Sequence, residues 1–228
     1  RLLERDLQSQ VPALDEEGMP ERLRIALNAD SLATWWAAAV GDFCAEQHLL
    51  LDLVVEDQDV GLKRMRAGEV AACVCGTERP VAGARSVLLG AMRYRAVASP
   101  GFITRHFPQG VAAVQLARSP ALVFGPDDFL QHRYLASLGV EGGFEHHLCP
   151  SSEGFLRMAE AGLGWGLVPQ EQVRDQMQRG LLVELLADHP IDVPLYWHYW
   201  RNGGQLLTQL TEHLTHRAGQ WLVPLNIS

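Results

Sequence analysis

Long apolar runs are missing from this chain, and so is any surplus of positive charge. Charged residues, Gly or Pro interrupt every apolar stretch well short of the roughly 20 residues a membrane-spanning helix needs. Nineteen Lys and Arg stand against 27 Asp and Glu, a formal net charge of -8. That is the wrong sign for a surface that neutralises phosphates, so this stretch alone is not built to grip DNA or RNA. Cysteine is sparse, with four residues. Cys73 and Cys75 in an apolar strand would point to one face, too close for an easy disulfide, and buried free thiols in a reducing compartment are expected. A metal centre would have to recruit Cys73, Cys75, His146, His147 and Cys149, which lack the short spacings of common zinc sites. The opening Arg1-Leu2-Leu3-Glu4-Arg5-Asp6 has neither Met nor the apolar region of a secretory signal, and reads as part of something longer.

What is present is a globular chain. With 47% hydrophobic residues over 228 positions, it can bury one large core or two smaller ones. Leu3, Leu7, Val11 and Leu14 form a heptad-like stripe: either a surface helix or the tail of a dimerisation helix. Asp15–Pro20 then reads as a hinge or linker.

From there strand and helix patterns alternate. A strand at 23–28 precedes a helix from about Ser31 to Gln47, and a strand at 49–55 ends in Glu56-Asp57. A helix over 60–67 stops at Gly68, where a left-handed cap needs no Cβ, and 70–75 is a short apolar strand. Continuous apolar strands separated by helices predict a parallel sheet covered on both faces, with ligands outside the strands' carboxyl ends. Asn28–Ser31, Glu56-Asp57 and Gly76-Thr77 fall at such ends.

A second set follows, with strands expected at 94–98, 121–124, 147–149 and 165–168. Helices are expected near 111–117, 129–138, 152–161 and 170–178. Strands near 182–186 and 194–200 and an amphipathic helix over 205–222 close the chain, which would cross between two lobes more than once. Gly162-x-Gly164-x-Gly166 follows a helix and precedes a strand, the reverse of a dinucleotide-binding loop, and reads as a helix end and tight turn. Ser, His and Asp are all present, yet no Gly-x-Ser-x-Gly elbow occurs, so catalysis has no positive signal.

Several stretches resemble the effector-binding domain of LysR-type transcriptional regulators. They are Pro150–Val173 (PSSEGFLRMAEAGLGWGLVPQEQV), with LRIALNADSLATWW, VVEDQ, RMRAGEVAACV, RAVASPGF and LYWHYWR in the family's order. Asn28–Trp35, Val55-Glu56-Asp57 and Tyr196-Trp197-His198 are similar to the ArgP/LysG-like branch, which responds to lysine and arginine. The resemblance implies an α/β fold of the periplasmic-binding-protein-like type 2 class: two Rossmann-like subdomains with an interlobe cleft that holds the co-inducer. It would divide the chain into the end of a linker helix and hinge over 1–20, one subdomain over 22–95 plus 197–228, and another over 96–196. It also implies no cofactor, a homodimer or higher homo-oligomer, a cytoplasmic setting, DNA contact only through an N-terminal domain absent from this chain, and RNA polymerase as a further partner.

Chemistry supplies the candidate ligand residues. A free amino acid's carboxylate needs N–H or O–H donors, which a helix start provides with a favourable dipole. Ser31 and Ser151 or Ser152 stand beside such starts, although Ser there is equally a plain N-cap, and Ser99, after the 94–98 strand, is a further candidate. A cationic side chain needs carboxylates, and Asp30, Glu56, Asp57, Asp127 and Asp128 lie in expected strand-to-helix loops. For Asp127 and Asp128 a helix-start pair after Gly125-Pro126 is the competing reading. Phe124 and Trp197 could wall the ligand's aliphatic stem, or simply be core. Gly154 and Cys149 depart from the family pattern beside the serine pair. A solute-binding protein for a cationic amino acid is the alternative, since it shares the architecture.

Overall fold

The computed structural model describes residues 21–55 and 60–225. Glu56, Asp57 and the expected linker helix and hinge over 1–20 lie outside the described residues. The chain forms two compact units: one holds residues up to Ala91 and from Pro194 on, the other Met92–Val193.

In the first unit, β1 (Arg22–Leu27) buries Leu23, Ile25, Ala26 and Leu27 and is the middle strand of a parallel set. β2 (Leu50–Val55) flanks it with Leu27 opposite Val55, and β3 (Ala72–Cys75) flanks it with Ala26 opposite Cys73. Helices cover both faces. On one, α1 (Ala29–Ala33) and α2 (Trp36–Glu46) are joined by α9 (Gln205–Arg217). His213 Nε2 lies 2.8 Å from the Ala39 carbonyl, and its ring lies 5.2 Å from that of Phe43. On the other face, α3 (Val60–Arg66) places Leu62 and Met65 against Ala26, Cys73 and Cys75. Gly68 follows with φ 69°, the left-handed cap expected there.

Two expectations need correction here. The single helix from Ser31 to Gln47 is two helices, because Thr34 takes φ -118° and ψ -81° and its hydroxyl donates to the Asp30 carbonyl at 2.6 Å. The sheet is also mixed rather than all parallel. β9 (Ile191–Trp200) runs antiparallel to β3, with Tyr196 opposite Cys75 and Tyr199 opposite Ala72. An antiparallel neighbour needs no helical crossover to bring it back in the same direction.

In the second unit, β4 (Ala84–Ala98), which begins in the first unit, pairs antiparallel with β7 (Gly166–Pro169) and β8 (Val183–Glu184). β5 (Ala121–Val123) and β6 (His146–Leu148) are parallel. The helices are α4 (Pro100–His106), α5 (Ala113–Ala117), α6 (Leu130–Ser137), α7 (Ser152–Glu160) and α8 (Gln170–Gln178). Val97, Leu122, Phe155, Ala159, Val168 and Leu182 pack into its core. β4 begins ten residues before the expected strand at 94–98, and α4 falls on a segment the pattern left unassigned. No helix among the described residues is long and apolar enough to cross a membrane.

Charge organises the second unit's edge. Arg95 donates twice to Gln170 Oε1, at 3.0 and 2.7 Å, and once to Glu184 at 2.9 Å. Arg93 grips Asp192 with two bonds of 2.8 and 2.7 Å, a bidentate pair joining β4 to β9.

Candidate functional site

The carboxyl end of β1 carries the concentration of unsatisfied polarity. Asn28 leaves the strand in an extended conformation without capping α1 through its side chain. Ser31 follows as the third residue of that helix and is fully buried. Among the described residues, neither the Asn28 amide oxygen nor the Ser31 hydroxyl finds a hydrogen-bond partner, and the same holds for the indole N–H groups of Trp35 and Trp36. A buried polar atom without a partner costs on the order of 1–3 kcal/mol, so four within nine residues need a reason. Asp30 stands in the first turn of α1, among these groups in sequence. The indoles continue into the core: Trp35 and Trp36 meet edge to face at 5.8 Å, and Trp36 lies 5.9 Å from Trp197.

In the second unit the expected site residues separate into two places. β5 and β6 are parallel with Val123 opposite Leu148, and Cys149 N donates to the Val123 carbonyl at 2.9 Å. Phe124, Asp127 and Asp128 therefore share a strand end with Ser151 and Ser152. Ser99 does not join them. Val97 pairs with Gly166, and Trp165 bridges Ala121, so Ser99 lies toward the opposite end of β5, roughly 15 Å away along the strand direction.

The side chains at these positions are largely committed to their own backbone. Ser99 caps α4 by accepting from Phe102 N at 3.3 Å, and Ser151 caps α7 by accepting from Gly154 N at 3.1 Å. Asp128 accepts from Phe124 N with one oxygen and from Leu130 N with the other, both at 3.0 Å. These are the plain capping and turn roles. Asp127 is exposed and Phe124 half-buried. Trp197 is fully enclosed in the first unit's core and donates to Thr211 at 2.9 Å, so it walls no accessible space. Ser99, Asp128 and Trp197 thus each hold a structural role: a helix cap, a loop clasp and a core indole. The departure at Gly154 also has a cause: a Cβ there would come within 3.2 Å of Cys149 Sγ and of the Ser151 cap. Gly162, at φ 75°, ends α7 in the left-handed turn the sequence indicates.

Comparison with known proteins decides the family. The family model for the LysR substrate binding domain matches residues 16–218. The chain belongs to the LysR family. An HTH-type transcriptional regulator ArgP from Pseudomonas fluorescens is 84% identical over 224 residues, covering 98% of this chain and 75% of that protein. The crystal structure of ArgP from Mycobacterium tuberculosis is similar at TM-score 0.88 and 33% identity, covering 98% of this chain and 75% of that one. Full-length LysG from Corynebacterium glutamicum with bound effector Arg is similar at TM-score 0.82 and 34% identity, again covering 98% and 75%. This LysR chain is accordingly an effector-binding domain with the periplasmic-binding-protein-like type 2 fold of LysR regulatory domains.

One buried cluster in the LysR domain escaped the sequence reading. Cys73 and Cys75 are both fully buried on β3, and His198 is fully buried on β9 opposite Cys73. His198 Nε2 lies 2.6 Å from the Thr77 carbonyl and so carries the donated proton. A hydrogen bond from Cys73 and the neighbouring His198 lower the Cys75 thiol's pKa despite burial, while Cys73 is raised. Nothing in sequence spacing links residues 75 and 198; only the antiparallel register does. Asn28 was legible as part of a motif, but its lack of a partner was not. Among the described residues, no group of three or more His, Cys, Asp or Glu is arranged to hold a metal ion.

Proposed function

We propose that this domain senses a basic amino acid, L-arginine or L-lysine, for a LysR-type transcriptional regulator governing basic amino-acid metabolism or export. The observation that carries the reading is the set of partnerless buried polar atoms at the end of β1, with Asp30 beside them in the chain. A ligand that brings both donors and acceptors removes the cost of that arrangement; an apolar one does not. The Asn28 oxygen accepts an N–H, the Ser31 hydroxyl can donate or accept, and Asp30 offers the carboxylate that a guanidinium engages bidentately or an ammonium as a point charge. The LysG relative, whose structure carries bound Arg, supports this ligand class.

The remaining assignments are part of the same proposal. Glu56 and Asp57 add negative charge for the ligand's cationic end. Taken by itself, the second unit offers backbone N–H groups at the start of α7, around Ser151 and Ser152, that suit an amino-acid carboxylate, with Phe124 and Asp127 on the same strand-end loop. The effector acts by binding two assemblies of the dimeric regulator with different affinity; a ligand with equal affinity for both shifts nothing. DNA, reached through an N-terminal domain, and RNA polymerase are partners of the whole regulator.

Calorimetric titration with L-arginine, L-lysine, L-leucine and L-glutamate tests the reading. Micromolar binding, about -8 kcal/mol, is expected for one or both basic amino acids and not for the others. Asp30→Asn should weaken it on the order of 100-fold, about 2.8 kcal/mol. Leucine or glutamate binding as tightly as arginine would overturn the proposal.

A further inference from the structure

The first unit contains a second recess whose charge is opposite to that expected for a basic effector. α3 and the segment leading from β3 to β4 enclose a solvent-open cavity of about 350 Å³. Leu62 and Val81 form its floor, and both are buried in the cluster with Met65 and Cys75. Pro80 and Ala82 add apolar wall, and Arg66 and Arg79 bring the charge. Among the described residues, no acidic residue lines it. Glu78, between Thr77 and Arg79 in the chain, is not among the lining residues, and its carbonyl accepts from Ser86 at 2.6 Å.

The two arginines are unlike their neighbour. Arg64, two residues before Arg66 on α3, is paired with Glu69 at 2.7 Å. Among the described residues, neither Arg66 nor Arg79 has an ion-pair or side-chain hydrogen-bond partner. In a chain of net charge -8, two unneutralised guanidiniums beside an apolar floor are not what solubility alone requires. The recess also has a fixed back: Thr77, part of its lining, is tied through its carbonyl to the buried His198 on β9.

We propose that this recess binds a small organic carboxylate with a hydrocarbon body of about four to six carbons, as a second ligand distinct from the basic amino acid. The guanidiniums take the carboxylate, for which their fork geometry is suited, and Leu62, Pro80 and Val81 take the hydrocarbon. Arginine and lysine are repelled by the same pair of charges.

Titration of this chain with sodium acetate, butyrate, hexanoate and phosphate at constant ionic strength separates a built site from a cloud of counterions. Hexanoate should bind best, gaining up to about fourfold for each methylene buried. Arg66→Gln and Arg79→Gln should each weaken hexanoate at least tenfold on general charge-pair grounds. Both positions are exposed, so thermal melts should be unchanged within a degree or two on the usual scale for surface sites. Excess L-arginine should leave hexanoate binding unaltered, and both variants should keep full L-arginine affinity. The proposal is overturned if phosphate or acetate binds as well as hexanoate, if the glutamine variants retain hexanoate, if L-arginine displaces it, or if no carboxylate binds. The basic-amino-acid reading stands or falls separately, on the L-arginine titration.

Discussion

At the carboxyl end of β1, Asn28 and Ser31 bury oxygens that no partner among the described residues reaches, whereas at the carboxyl ends of β5 and β6, Asp128 and Ser151 accept from N–H groups of their own loops. Both regions use small polar residues at a strand-to-helix junction, so residue type does not separate them. Satisfaction does. A polar group claimed by the local backbone stabilises the fold and has little left to offer a ligand. One held dry and unclaimed costs stability until something binds.

The contrast is sharpest where charge is involved, and Arg95→Met should have the largest effect on stability. Arg95 and Glu184 keep 23% and 13% side-chain exposure, so the pair is mostly withdrawn from water. Removing the cation leaves Glu184 without its partner and Gln170 Oε1 without two donors. A loss of about 3 kcal/mol is expected, read as a lower urea midpoint at unchanged slope. A loss below about 1 kcal/mol would mean that this network is not what satisfies the second unit.

Paired serine substitutions test the comparison directly. Ser151→Ala removes an N-cap and should cost about 1 kcal/mol of stability, while L-arginine affinity should change by less than about threefold because the proposed contacts there are backbone N–H groups. Ser31→Ala should do the reverse: stability within about 0.5 kcal/mol of the parent or slightly higher, and L-arginine affinity down on the order of tenfold. Melting curves and calorimetry on the two variants give a crossed result if the distinction holds. Equal stability losses would mean that Ser31 has a structural partner after all.

Much of the fold was readable because its strands and helices keep clean periods. The apolar strand expected at 70–75, found at Ala72–Cys75, and the stops at Gly68 and Gly162 come straight from local chemistry. β4 was read only in part: Gly90, at φ 136°, lies inside the unbroken strand where a Cβ would meet Leu222 at 2.8 Å, so the upstream half follows a contact with residues over 130 positions away. The mixed sheet was hidden because a strand's direction is not written in its own residues: β9 alternates buried and half-buried positions, and only its register against β3 makes it antiparallel. At the site, sequence picked out the loops, but Ser31, Ser99 and Ser151 look alike in one dimension. Only the folded chain shows that Ser99 and Ser151 cap helices at opposite ends of β5, while the Ser31 hydroxyl is buried without a partner among the described residues.

The smallest effect concerns the second unit, where Tyr134 is one of four residues, with Gln115, Gln131 and Gln176, that keep a buried side-chain atom without a partner among the described residues. Tyr134 is fully buried on α6 with its ring 5.9 Å from Trp165, and its hydroxyl has no hydrogen-bond partner among the described residues. Here an orphan lies in the core and not at a strand end, so ligand recognition does not account for it. Burial, reinforced by the negative charge of Glu184, raises its pKa to about 12, against about 10 for an unfolded tyrosine. A raised folded pKa means that the stability tied to this group is present below pH about 10 and is lost as pH climbs toward 12, because the unfolded chain ionises first. Tyr134→Phe should therefore be neutral or up to about 1 kcal/mol more stable at pH 7, since a partnerless hydroxyl is replaced by hydrogen. The gain over the parent should widen between pH 10 and 12. If instead Tyr134→Phe destabilises the domain at pH 7, its hydroxyl is bonded in solution, and a buried polar atom without a partner would lose its value as a guide to the cluster at the β1 end.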